Sequence, residues 1–126
     1  MTPGFCDTAM MDSAVEFLGQ LADAARQVVT RSPATDRLYE NKADVGLDPV
    51  TQVDRDIETA LRSLIAEAFP EDSIRGEEFG WTAKGARRTW SIDPIDGTRA
   101  FICGLPSWAT LVGVCPSSYN LRHIAA

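Results

Sequence analysis

The chain has 126 residues, 44% of them hydrophobic and 24% charged, which is the composition of one soluble globular domain or part of one. Eighteen acidic residues against twelve basic ones leave a net charge of −6. That balance argues against nonspecific nucleic-acid binding, which relies on Lys and Arg to neutralise phosphates. An anionic ligand would need local cationic help, from a metal ion or from helix N-termini.

Cys6, Cys103 and Cys115 are odd in number, widely spaced and without a CxxC pair, so they spell neither a zinc signature nor a disulfide framework. The opening MTPGFCDTAMMDS lacks a basic segment followed by an apolar run. No stretch approaches the ~20 apolar residues that span a bilayer. The expectation is a cytoplasmic protein with reduced thiols, contacting neither membrane nor nucleic acid.

In chain order, the first expected element is an amphipathic helix from about Asp12 to Thr30, with Ala14, Val15, Leu18, Leu21, Ala22, Ala25, Val28 and Val29 at helical spacing. Ser32-Pro33 ends it. Residues 33–50, with Asn41, Lys42, Asp44, Gly46, Asp48 and Pro49, read as a loop or irregular hairpin. A second helix is announced by Thr51 and Asp54, a capping box with Asp in the usual Glu position. Val53, Ile57, Leu61, Leu64, Ile65 and Ala68 line its apolar face, and Pro70 closes it. Short strands follow at Ser73–Arg75, Thr89–Ile92 and Ala109–Val114, each bounded by Gly or Pro. Helices followed by strands predict an α+β arrangement.

The chemistry concentrates in Trp90-Ser91-Ile92-Asp93-Pro94-Ile95-Asp96-Gly97-Thr98. A short apolar strand delivers two carboxylates, three residues apart, into a turn expected from Pro94 and Gly97. Such a turn can aim both carboxylates and a carbonyl at one spot, an oxygen-only arrangement that suits a hard cation such as Mg²⁺. Alone, the segment is also a plain polar turn. Upstream, Gly76-Glu77-Glu78-Phe79-Gly80 adds a second carboxylate pair at a strand end. Four carboxylates at the ends of neighbouring strands repel one another unless cations compensate. Other chemistries are poorly supplied: His123 is the only histidine, and there is no P-loop or GxGxxG.

Asp93-Pro94-Ile95-Asp96-Gly97-Thr98, preceded by Trp90 and followed by Phe101 and Gly104-Leu105-Pro106, resembles the first signature of the inositol monophosphatase family. Gly76-Glu77-Glu78 is similar to that family's upstream metal-binding segment, and Asp48-Pro49-Val50-Thr51-Gln52-Val53-Asp54 to its D-x-V-T-x-x-D segment. The resemblance covers roughly residues 12 to 114. Two stretches, Gly76 to Gly80 and Thr98 to Pro106, resemble the histidinol-phosphate phosphatase branch more than the inositol branch.

The resemblance implies the N-terminal portion of a layered αβαβα sugar-phosphatase-like fold, with helices and then strands of a mostly antiparallel sheet. It also implies a Mg²⁺-dependent phosphatase. Glu77, Asp93 and the Ile95 carbonyl would hold one Mg²⁺, and Asp93 and Asp96 would share a second. Asp96 and the backbone N–H groups of Gly97 and Thr98 would meet the substrate phosphate. The Thr98 hydroxyl, oriented by Asp54, would position and deprotonate the attacking water, with Glu77 nearby. A helix-capping role accounts for Asp54 almost as well. Lys42 matches a family lysine on a loop near the metals, and a solvated loop lysine is an equal account.

The expected division is a metal- and phosphate-binding part at 1–114 and a divergent tail at 115–126. Family members are about twice as long, and their second half supplies a further metal ligand in a W-D-x-x-A-like segment. That segment is absent here, so the tail reads as a truncation or altered frame. The expected substrate is a small phosphorylated metabolite, L-histidinol phosphate first and inositol 1-phosphate as the alternative. A homodimer is expected. The rival reading from another class is a metal- or partner-binding fragment without turnover.

Overall fold

A computed structural model of the chain describes residues 8–43, 49–84 and 88–116. The first helix, α1, runs from Thr8 to Arg31, and a 3₁₀ turn follows at Ala34–Arg37. Strands β1 (Tyr39–Asn41) and β2 (Pro49–Thr51) pair antiparallel, so the expected irregular hairpin forms; its Asp44–Asp48 segment lies outside the described residues. Helix α2 spans Gln52–Ala68. Then come β3 (Ser73–Gly76), β4 (Gly80–Thr82), β5 (Arg88–Asp96), the single-turn helix α3 (Thr98–Ile102) and β6 (Ala109–Pro116). Cys6, His123 and the tail from 117 onward also lie outside the described residues.

The α+β class is as expected. The sheet order is β4-β3-β5-β6, with β3 parallel to β5 and the other two pairs antiparallel. The short strand β4 was not foreseen: Gly80-Trp81-Thr82 is too short to show alternation. Its signal was Gly80 alone, which turns the chain back at a φ of 75°.

Burial decides which helix faces matter. In α1 the buried side chains are Ala14, Phe17, Leu21 and Ala25, whereas Val15 and Ala22 face solvent. Phe17 displaces Val15 because its ring is drawn into an aromatic cluster, edge-on to Phe69 at 5.2 Å and to Trp90 at 6.1 Å. In α2, Val53, Ile57, Leu61 and Ile65 are fully buried, Leu64 packs at the margin and Ala68 is exposed. Both helices share one core with Ile74, Trp90, Ile92 and Ile95 of the sheet.

The register puts Trp81, Arg75, Ser91, Gly113 and Leu111 on the opposite sheet face. Trp81 and Leu111 are about half exposed there. Between α1 and β6 a groove of about 430 Å³ is lined by Leu21, Val29, Trp108 and Val112. No described helix is long and apolar enough to cross a membrane.

Trp90 is fully buried, so its indole N–H needs an internal acceptor. Asp72 supplies it at 2.8 Å. The same carboxylate oxygen lies 2.9 Å from Arg88 Nε, an ion-pair contact off the hydrogen-bond direction, and the guanidinium stacks over Phe69 at 4.4 Å. Removing the carboxylate takes this acceptor from the indole N–H and this ion-pair partner from the buried guanidinium. Asp72→Ala should therefore cost roughly 3 kcal/mol, read as a lower urea midpoint with an unchanged m-value.

Candidate active site

The Asp-Pro-Ile-Asp segment is not the turn expected from its sequence. Strand β5 continues through Pro94 to Asp96, and only Gly97 turns the chain. Opposite β6, Asp93 pairs with Leu111 and Asp96 with Ala109, so three steps on β5 match two on β6. The register shift between them is a β-bulge, which accommodates a proline that cannot donate to the ladder. It also settles where the carboxylates point. Residues three apart on a regular strand face opposite ways; the extra residue brings Asp93 and Asp96 to the same face.

Gly97 is required twice over. Its backbone sits at φ 88° and ψ 41°, and a Cβ there would lie 2.8 Å from the Ser107 carbonyl oxygen. The chain then enters α3, whose five residues carry little macrodipole. Phe101 anchors this turn in the core, edge-on to Trp108 at 4.9 Å.

Thr98, the first residue of α3, places its hydroxyl 3.2 Å from Asp54 Oδ1 and 3.0 Å from the Ile95 carbonyl oxygen. Asp54 is fully buried at the start of α2. Its other oxygen, Oδ2, accepts from the Thr51 N–H at 2.9 Å and the Thr51 hydroxyl at 2.5 Å. The Asp54 N–H donates back to the Thr51 hydroxyl at 3.2 Å, completing the capping box. The capping box and the contact with Thr98 therefore use different oxygens of the Asp54 carboxylate.

Glu77 leaves the end of β3, with its N–H donating to the Ile92 carbonyl at 3.0 Å and its side chain exposed. Its neighbourhood is read from Asp93, whose carboxyl is pushed up to about 6. Burial contributes most, followed by the charges of Glu77, Asp96 and Asp54, while Lys42 opposes the shift. Lys42 Nζ lies 3.3 Å from Glu78 Oε1, tying the loop after β1 to the turn after β3. Glu78 is also pushed up, first by burial and then, against the pull of Lys42, by Asp54 and Glu58.

As placed, no three acidic side chains among the described residues converge closely enough to enclose an ion. The donor set is nonetheless all oxygen, and its mutual repulsion is set against the ammonium of Lys42. That chemistry fits a hard divalent cation. Asp48, the first residue of the upstream segment, lies outside the described residues.

One site-forming residue was not found from sequence. Glu58, fully buried, accepts the N–H groups of Glu78 and Phe79, each at 2.8 Å. Its signal was spacing. Asp54, Glu58 and Arg62 stand four apart along one edge of α2, beside the apolar stripe.

A family model described as the inositol monophosphatase family matches residues 10–118. The chain belongs to the inositol monophosphatase family. Over 97 residues it is 43% identical to a histidinol-phosphatase of Streptomyces coelicolor, covering 77% of this chain and 35% of that one. Over 71 residues it is 46% identical to the inositol-1-monophosphatase SuhB of Mycobacterium tuberculosis, covering 52% of this chain and 24% of that one. The extragenic suppressor protein suhB from Bartonella henselae superposes with a TM-score of 0.70 at 23% identity, over 82% of this chain and 41% of its own, and shows the same fold. The chain spans about a third of the length of the curated family members it matches.

The repulsion around Asp93 has a measurable sign. With its carboxyl raised from 3.8 to about 6, stability is lost as the pH rises between those two values, and the loss is complete above about 6. In metal-free buffer at neutral pH, Asp93→Asn should therefore melt higher than the wild type. The gain should be about 1 kcal/mol or less, because the group is partly exposed and screened. A thermal melt checks it.

Proposed function

We propose that these residues form the metal- and phosphate-binding part of a Mg²⁺-dependent phosphate monoesterase acting on L-histidinol phosphate. The observation that carries the reading is the Thr98–Asp54 hydrogen bond, joining segments 44 residues apart beside the mutually repelling Glu77, Asp93 and Asp96.

In this reading Glu77, Asp93, the Ile95 carbonyl and Asp96 hold Mg²⁺. When bound, it supplies positive charge to the phosphoryl oxygens and acidifies water. The other steps belong to the chain. The amides of Gly97 and Thr98 receive the phosphate, with Asp96 beside them at the substrate. The Thr98 hydroxyl has one proton for two acceptors, the Ile95 carbonyl and Asp54 Oδ1. Engaging that carbonyl elsewhere leaves the proton to Asp54, with an oxygen lone pair of Thr98 turned to accept from the attacking water. As the water attacks phosphorus in line, the bond from phosphorus to the ester oxygen breaks, the water's proton passes through Thr98 toward Asp54, and the leaving alkoxide takes a proton from solvent to depart as the alcohol. Thr51 keeps the Asp54 carboxylate aimed. Lys42, held near Asp93 by Glu78, moderates the negative field the substrate meets.

The two branch-like stretches and the 43% identity to a histidinol-phosphatase favour L-histidinol phosphate. The 46% identity to an inositol-1-monophosphatase, over a shorter span, supports inositol 1-phosphate as the second reading. A third reading, from another class, is a metal- or partner-binding unit with little turnover of its own. Self-association belongs with this reading, because Trp81 and Leu111 leave a sheet face open; sedimentation tests it. A cytoplasmic setting, with reduced thiols, goes with the same reading.

Phosphate release from both substrates, with and without Mg²⁺, tests the assignment. The arms are this chain and a longer chain that begins with these residues. The longer chain should prefer L-histidinol phosphate in kcat/KM, and a preference for inositol 1-phosphate overturns the substrate. In an active form, Thr98→Ala should lower kcat by roughly 10²–10⁴-fold with little loss of metal affinity; an unchanged rate removes Thr98 from the mechanism. Asp93→Asn should abolish turnover and weaken Mg²⁺ binding more than Glu78→Gln does. Calorimetry showing equal Mg²⁺ affinity in wild type and Asp93→Asn sinks the metal assignment.

A further inference from the structure

A carboxylate with no solvent exposure is costly unless both of its oxygens accept from donors inside the protein. Glu58 meets that condition with three donors. Its Oε1 accepts from the Glu78 N–H at 2.8 Å, and its Oε2 from the Phe79 N–H at 2.8 Å and Arg62 Nε at 2.9 Å. All three partners donate, which matches the all-acceptor oxygens of a carboxylate; an amide would turn its own N–H₂ toward a donor.

The same contact dictates the residue before Glu77. A Cβ on Gly76 would fall inside the Glu58 carboxylate, within 2.5 Å of all three of its atoms. The strand end is pressed against α2 that closely because the carboxylate reaches past it to the two following amides. Arg62 extends the grip, donating from Nη1 to the Thr82 hydroxyl at 3.1 Å and from Nη2 to the Gly80 carbonyl. The turn between β3 and β4 is thus pinned along its whole length to one edge of α2. Glu77 itself is tied through its N–H to β5, immediately beside Asp93.

We infer that Glu58, braced by Arg62, is the positioning residue for Glu77, holding that side chain's backbone at a fixed place relative to Asp93. The inference rests on the metal assignment proposed above and deepens it. Glu58 touches neither substrate nor metal in that assignment. Its charge is paired with Arg62 at 2.9 Å.

The test uses the 126-residue chain with Mg²⁺ as probe and two readouts: amide exchange at Phe79, and the Mg²⁺ concentration giving half of the metal-dependent rise in Tm. Glu58→Gln should speed Phe79 exchange and raise the half-saturating Mg²⁺ roughly 10–100-fold, the usual effect of removing a partner that orients a ligand. Gly76→Ala keeps both carboxylates but displaces one, and should shift both readouts the same way; it serves where Glu58→Gln does not fold. Ile65→Val, a mild core truncation on the same helix, should lower Tm and leave both readouts as in the wild type.

Faster exchange with unchanged Mg²⁺ dependence would make Glu58 a structural clamp only and overturn the inference. Unchanged Phe79 exchange in Glu58→Gln, or wild-type behaviour of Gly76→Ala, overturns it as well. Asp93→Asn separates the two readings. If it responds to Mg²⁺ like the wild type, or if the wild type does not respond, the metal assignment fails and the positioning role falls with it. If Asp93→Asn loses the response while Glu58→Gln keeps it, the positioning role fails alone.

Discussion

Two carboxylates with almost no solvent exposure, Asp54 and Glu58, stand one helical turn apart on α2, and each must find its donors inside the protein. The donors they find are not on the same helix alone. Asp54 takes the hydroxyl of Thr98 from the turn after β5, and Glu58 takes two amides from the turn after β3. Satisfying two buried charges thereby brings together the two turns that carry the exposed acids. Helix α2 acts as a rule against which both are set, its apolar stripe seated on the sheet and its polar edge gripping the turns.

The sheet completes what the helix begins. Parallel pairing of β3 with β5 puts Glu77 beside the stretch that ends in Asp96, and the bulge at Pro94 lets two acids three residues apart share a face. The result is a concentration of negative charge that raises the Asp93 carboxyl and is opposed by Lys42. Such repulsion is unfavourable to the protein by itself and is relieved by a cation. On the proposed metal assignment, fold stability and ligand affinity are opposed at Asp93.

Far from the site, the Phe17–Phe69–Trp90 cluster and its Asp72–Arg88 cap anchor the opposite end of β5. A strand held by a fully buried Trp90 at one end and by the Gly97 turn and Phe101 at the other has little freedom to slide. Register matters here because one step of slippage would turn Asp93 to the helix side. The apolar cluster is remote from the chemistry, yet it sets where the carboxylates emerge.

Much was legible in the sequence because it is local. The 3.6-residue period gave both helices, the Thr51–Asp54 spacing gave a true capping box, and Gly97 gave the turn. The order Asp54, Glu77, Asp93, Asp96, Thr98 named the family from residues alone, and residues 10–118 match its model. What remained hidden depends on partners distant in sequence. Phe17 replaces Val15 because an aromatic ring waits across the core, and β4 exists because β3 offers it an edge. Pro94 lies in a strand because β6 tolerates a bulge opposite it. Glu58 reads as a solvated helix charge until α2 is laid against the sheet. Periodicity records which face of an element is apolar, but only packing decides which polar edge of that face meets another backbone, because a charge is buried or exposed by what surrounds it.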